Sequence, residues 1–341
     1  MIVILRVFAA LVVFSGAAWA QGSWVQARPI PQGANEVIGG ALGGNVYVYG
    51  GQNPKNEPMG IFWSYDPKAN EWTQLKSNPV PVHHGAAAVV GTKFYIFGGF
   101  RLPDSGKSAW FPENKAWVYD TVAQSWSALP PMPTPRGALA AVAVDKKIYV
   151  VGGARVPPGT DLPDGLTAGG PVELLGTVEV FDAEDNTWSK VKPMTLPRNH
   201  HDVAALDGKL YVIGGRVGSC FSGGWSSNVS MNEVYDIATD TWSTKAPVPT
   251  ARSGIGVAAL DGKIYVLGGE GWIDDFGGVF RANEAYDPKT NLWAKEARMP
   301  TPRHGFAKAV VDGKLYAVSG VNNAGGAGTL SVINVNEVYA P

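Results

Sequence analysis

The five histidines of this chain are not scattered. His83 and His84, His200 and His201, and His304 each stand shortly before a segment that ends in a Gly-Gly pair or its counterpart. Counted from that pair, His84 and His200 are equivalent, and so are His83 and His304. An imidazole can move protons near neutral pH, bridge donors and acceptors, or ligate zinc or copper. The plainer alternative is an imidazole bonded to loop carbonyls. The carboxylate nearest this register is Glu36, and Glu270 follows a later Gly-Gly. His84, His200, His304, Glu36 and Glu270 are therefore the candidate acid/base groups. Adjacent strand residues point to opposite sides, so at most one of each histidine pair faces a common site. With no cysteine near them in sequence the ligand set is incomplete, and neither a metal nor a cofactor is expected.

A second set follows the Gly-Gly pairs. Arg101, Arg155 and Arg216 come directly after three of them, where a row of guanidiniums would suit a carboxylate or another anion. Glu270, Trp272, Asp274 and Asp275 occupy the next such loop, so one side reads basic and the other acidic and aromatic. Trp225 and Trp272 would stack on a sugar ring or pack their own loops. With Asn199, beside His200, these two tryptophans and three arginines are the candidate ligand-binding residues. The longest insertion, 154–176, is rich in proline and glycine.

These residues hang on a repeat. Strand-like segments recur as NVYVYGG (45–51), KFYIFGG (93–99), KIYVVGG (147–153), KLYVIGG (209–215), KIYVLGG (263–269) and KLYAVSG (314–320). Their Tyr, Val and Ile content is that of buried strands. After each comes WSYD, WVYD, EVFD, EVYD, EAYD or EVYA. In the first five a tryptophan follows seven residues after the aromatic, from Tyr65 to Trp72 through Tyr286 to Trp293. The sixth unit has Tyr339 and then ends, while Trp24 precedes the first unit with no Tyr-Asp element before it. An array whose broken unit is split between the two ends closes on itself and leaves no sheet edge open.

Hydrophobic run, Gly-Gly, Tyr-Asp, spaced Trp and a proline-rich turn before an arginine together resemble the Kelch repeat, over essentially all of residues 21–341. The resemblance implies an all-β, six-bladed β-propeller with four antiparallel strands per blade, a to d from the axis outward. The N-terminal strand would complete the C-terminal blade. Blades are expected near 34–76, 82–129, 136–191, 198–246, 252–297, and 303–341 with 22–28. The b-to-c loops and d-to-a turns would share one face. The short Asp-Gly turns (Asp207-Gly208, Asp261-Gly262, Asp312-Gly313) would lie on the other. Histidines and loop arginines would then converge on the mouth of the central channel.

Two features read as structural. Arg136, Arg198, Arg252 and Arg303 occur only in the four repeats that carry Glu179, Glu233, Glu284 and Glu337. The first two repeats have Ala34 and Val82, with Trp63 and Trp117. Residues that come and go together imply an ion pair inside each blade. The periodic tryptophans read as blade-to-blade packing.

The first twenty residues carry Arg6, an apolar run and Ala18-Trp19-Ala20, the pattern of a signal peptide cleaved after Ala20. That points to a secreted or periplasmic protein. Its lone Cys220 can form no disulfide within the chain. Net charge is −1, with no basic footprint for nucleic acid, and no second stretch is long enough to cross a bilayer. A monomer is expected. Three functional classes follow. The first is a module binding a protein or glycan, or an anionic small molecule, at the loop face. The second is a carbohydrate-active enzyme similar to the exported N-acetylneuraminate mutarotases, also six-Kelch propellers, acting on an acidic sugar. The third is a copper-radical oxidase similar to galactose oxidase. That family's Tyr-His ligand pair has no counterpart, because no Tyr-His dipeptide occurs.

Overall fold

The computed structural model describes residues 22–222, 226–273, 276–325 and 329–341. The leader expected at 1–20, Trp225, Asp274 and Asp275 lie outside the described residues. Six four-stranded antiparallel sheets surround a central channel. Blade two is typical, running Ala86–Val90, Lys93–Phe97, Ala116–Asp120 and Ser125–Leu129 from the axis outward. Blade six takes its outermost strand from the other end of the chain. Ser23–Ala27 pairs with Asn336–Ala340, with Trp24 opposite Tyr339 and Val25 opposite Val338. Among the described residues no helix is long and apolar enough to cross a membrane.

The tryptophans explain how the blades hold each other. Each indole packs on the aromatic of its own strand c, as Trp72 does on Tyr65 at 4.9 Å between ring centroids. Its N–H crosses to a backbone carbonyl of the preceding blade. Trp126 donates to Lys76, Trp188 to Pro130, Trp242 to Lys192, Trp293 to Ala246 and Trp72 to Arg28, all at 2.7–2.9 Å. Trp24 closes the circle on the carbonyl of Ala297 at 2.7 Å. Apolar clusters fill the spaces between neighbouring sheets.

The four arginines after the Pro turn are fully buried and meet the glutamates of their own blades. Arg136 Nη2 lies 3.1 Å from Glu179, Arg252 Nη1 lies 2.6 Å from Glu284, and Arg198 and Arg303 pair with Glu233 and Glu337. Arg198 and Arg252 also donate to carbonyls of their own strand b, at Val212 and Gly214 and at Val266 and Gly268. These guanidiniums are braces and do not reach the channel. In blades one and two Ala34 and Val82 are buried at the same place, and the half-buried Trp63 and Trp117 stand where the glutamates would be.

Candidate functional site

Fourteen residues before the first glycine of each pair, the chain turns into strand a. The six residues there are Glu36, His84, Ala138, His200, Gly254 and Gly305. All six are left-handed, with φ between 52° and 61°. Their backbones link hand to hand around the axis. His84 N donates to Glu36 O, Ala138 N to His84 O, His200 N to Ala138 O, Gly254 N to His200 O and Gly305 N to Gly254 O, at 2.8–3.4 Å. Val37 N closes the ring on Gly305 O at 3.2 Å. Glycine is at ease in this conformation, whereas a side chain there costs about 1 kcal/mol or more. Glu36, His84 and His200 therefore stand at strained positions that the fold itself could fill with glycine.

Their side chains converge. One ligating atom each from Glu36, His84 and His200 lie within 4.8 Å of one another, and all three are buried there. Glu36 Oε1 is 3.5 Å from His84 Nε2 and 3.5 Å from His304 Nε2. His304 Nε2 is 3.5 Å from Glu270 Oε2. Glu270 Oε1 accepts from Arg216 Nη1 at 2.5 Å, and Arg216 Nη2 donates to His200 Nε2 at 2.8 Å. His200 is thereby the tautomer that donates from Nδ1, to Asn199 Oδ1 at 2.5 Å. Asn199, wholly buried, also donates to the carbonyl of Ser219, so it positions His200 and does not face a ligand. Glu36, His84 and His200 make the grouping that is geometrically nearest to a metal centre among the described residues. The guanidinium against His200 Nε2 occupies a ligand atom with a positive charge, which opposes a cation there.

Above the ring opens a cavity of about 400 Å³ whose walls include Glu36, His84, His304, Arg216 and Glu270 with Trp110 and Phe221. Below it the channel narrows past His200 to an ion pair between Lys308 and Asp202, which spans the passage. The opposite mouth is lined by small apolar residues, Ala41, Ala87, Ala205 and Ala259 among them.

Burial sets the charges. It raises the Glu36 carboxyl to about 8, reinforced by Glu270 and only partly offset by Arg216. Burial also pushes Glu270 upward, but His304, Arg216 and the Gly325 amide outweigh it and hold that group below its ordinary value. Burial lowers His83 and His201 to about 3, holds His84 and His200 well below their usual value, and lowers His304 despite Glu270. Enclosure thus favours the neutral form of each of these imidazoles.

The three loop arginines do not act together. Arg216 lies two residues after the first glycine of its pair, whereas Arg101 and Arg155 lie three after theirs. A one-residue offset turns a strand side chain to the opposite side. Arg216 points to the axis. Arg101 instead bonds Glu113 at 2.5 Å and Asp104 at 2.9 Å, and Arg155 bonds Glu173 at 2.7 Å. The expected basic row is thus corrected to one inward guanidinium and two loop braces.

Trp272 lies on the hairpin Glu270–Ile273/Phe276–Val279 and lines a side chamber, not the central cavity. Sequence reasoning missed Trp110, which packs on Phe221 at 4.3 Å and on His84 at 4.6 Å between centroids. It sits in a loop of irregular length, where no register marks it. Its one legible signal is that it lies outside the Tyr-to-Trp spacing. Asn35, beside Glu36, and the Lys308–Asp202 pair were missed as well.

Comparison with known proteins agrees with the geometry. The family model for the KLHDC2/KLHL20/DRC7 Kelch-repeats domain matches residues 10–215 and 165–339. A Kelch-like protein, terF, of Aspergillus terreus is 29% identical over 286 residues, 82% of this chain and 59% of its own length. Kelch-like protein 23 of Homo sapiens is 27% identical over 280 residues, 82% of this chain and 44% of its own. Kelch-like protein 40 of Xenopus tropicalis is 28% identical over 262 residues, 75% of this chain and 38% of its own. The chain thus spans about half the length of the curated relatives it matches. Five strands ending in Gly-Gly and a sixth in Ser-Gly, six cross-blade indoles and the family model meet in one conclusion: this chain belongs to the Kelch-repeat family of β-propellers.

Proposed function

We propose that this propeller is an exported binding module that takes a protein or glycan ligand on its loop face, with the ligand's anchoring group in the cavity over the channel. One observation carries the reading. The repeat gives up glycine at three strained ring positions and places Glu36, His84 and His200 there, beneath a concave, partly aromatic cavity of about 400 Å³. The leader-like residues 1–20 support export. The test is a blocked mouth. Ala168 is exposed and lines the cavity, so Ala168→Trp narrows it without disturbing the core. Ligands found by saturation-transfer NMR should lose binding in that variant. They should keep it in Asp261→Asn, on the opposite face. Equal binding in both variants would remove the cavity from the function.

A second reading has its own observation. Glu36 keeps its proton to about pH 8 while Glu270 is held ionised, and His304 lies 3.5 Å from both. Two carboxyls with separated proton states form an acid/base pair. Such a pair would open and close the hemiketal of an acidic sugar, a mutarotase-type reaction in which Glu36 gives a proton to the ring oxygen and Glu270 takes one from the anomeric hydroxyl. Anomer exchange of N-acetylneuraminate followed by NMR, with Glu36→Gln as the control, tests it. An exchange rate unchanged by the protein removes this reading.

A further inference from the structure

The cavity over the channel is not the only concavity at Arg216. A second chamber of about 450 Å³ lies between the loops of blades four and five. Its walls include Asn228, Thr250, Ala251, Ser253, Trp272 and Phe280. Arg216, Ser222 and Glu270 line both spaces, so the Arg216–Glu270 pair stands at their junction. The hairpin is built to shape this wall. A Cβ at Gly277 would fall 2.7 Å from the Trp272 ring, and one at Gly271 would fall 2.8 Å from Asn228 and 2.9 Å from Phe280. Glycines there let the two rings and the amide fold onto the hairpin.

The unpartnered polar atoms describe what the two spaces receive. Arg216 Nε and Trp272 Nε1 are buried donors without a hydrogen-bond partner. Asn35 Oδ1, on a residue lining the central cavity, is a buried acceptor without one, and His304 Nδ1 is also unpartnered. Arg216 itself is 3% exposed. Groups that both donate and accept satisfy such a mixture, and the hydroxyl is the simplest of them. Charge points the same way. Arg216 and Glu270 neutralise each other at 2.5 Å, and the rest of the described chamber wall is uncharged, with hydroxyl, amide, aromatic and small apolar groups. Among the described residues a charged ligand finds no free counter-charge. A half-buried indole beside hydroxyls and an amide matches a ring with a C–H face and a hydroxylated edge.

We propose that the two chambers form one bipartite site for a neutral saccharide of at least two sugar units, one over the Glu36 ring and the next against Trp272. The proposal rests on the loop-face binding reading and names its ligand class. A pyranose in the side chamber presents hydroxyl oxygens to Arg216 Nε and Trp272 Nε1, and the glycosidic link passes the Arg216–Glu270 junction.

The experiment compares chain lengths. The intact protein is probed on an array of neutral glycans, and the disaccharide hit and its constituent monosaccharides are then titrated by calorimetry. The disaccharide should bind roughly tenfold more tightly than the monosaccharide. Trp272→Ala should erase that advantage, bringing the disaccharide down to the affinity of the monosaccharide. Ala251→Trp should do the same by filling the chamber from an exposed position, which keeps the test valid if the first variant fails to fold. No neutral glycan bound, or a disaccharide advantage that survives both variants, overturns the proposal. Binding only to peptides, abolished by Ala168→Trp, overturns it as well but leaves the loop-face reading standing. No binding to either, with no effect of Ala168→Trp on any probe, fells both.

Discussion

Arg216 of blade four and Glu270 of blade five occupy the same position of consecutive repeats, and their side chains join across the blade boundary at 2.5 Å. Among the described residues the other buried Arg–Glu pairs stay inside one blade. The cross-blade pair faces the cavity and the in-blade pairs do not, so the two kinds should respond differently to substitution.

Arg216→Ala strands Glu270 in a buried site and should cost about 3–5 kcal/mol, read from urea unfolding. Replacing both members, Arg216→Met with Glu270→Gln, should recover most of that loss, because no charge is left unpaired. It should nevertheless remove ligand binding. A double variant that binds as well as the parent would show that the pair only braces the loops.

For the in-blade braces, Arg252→Ala should also cost on the order of 3 kcal/mol. Here binding should persist in the folded fraction, since Arg252 reaches Glu284 and backbone carbonyls of its own blade and lines neither chamber.

Stability should peak near pH 6.5, with opposite causes on the two sides. Glu36 holds its proton to about pH 8 in the fold but loses it near 4.5 in the unfolded chain. Between those values the folded state binds the extra proton, so stability falls as pH rises, until about pH 8. The histidines act in reverse. Their usual value is 6.5 and the fold lowers it, to about 3 for His83 and His201, so below 6.5 the unfolded chain takes up protons and stability falls with pH. Five histidines outweigh one carboxyl on the acid side. Thermal melts of Glu36→Gln should lose the decline between pH 6.5 and 8. A parent curve flat over that range would mean that Glu36 is ionised in the fold.

Removal of residues 21–28 should open the sixth sheet. The strand Ser23–Ala27 leaves with it, the backbone groups of Asn336–Ala340 lose their partners, and the indole bond to Ala297 disappears. Lower melting temperature and concentration-dependent association in size-exclusion chromatography are expected. An unchanged melting temperature and elution volume would mean that ring closure does not need this strand.

The fold was legible because its signals repeat. The Gly-Gly, Tyr-Asp and Trp positions, or close variants of them, recur in six-fold register, and the displaced Trp24 marks the closure. The site was legible where it sits on that register, as with Glu36, His84 and His200. It was misread where register had to be counted to the residue. The offset between Arg216 and Arg101 is present in the sequence, and period-two alternation converts it into opposite directions. Trp110 and the loop around Phe221 were beyond reach, since an insertion of irregular length has no repeat to be compared with. The Lys308–Asp202 plug was missed because strand a is small and apolar in the other blades, and pairing across a channel leaves no mark along the chain.

The hydrogen-bonded ring at the top of strand a is held by main-chain atoms alone, whichever residue occupies each seat. Its six seats are therefore interchangeable sockets for side-chain chemistry. Three are taken by Glu36, His84 and His200, one holds Ala138, and Gly254 and Gly305 carry no side chain. Asparagine or aspartate tolerates the same backbone angle, but a Cβ at Gly305 would collide with Asn35 and fall 2.7 Å from Glu36, whereas one at Gly254 would meet His304 at 3.1 Å, so Gly254 is the seat more readily filled. New specificities in this architecture are reached by changing seats and leaving the blades alone.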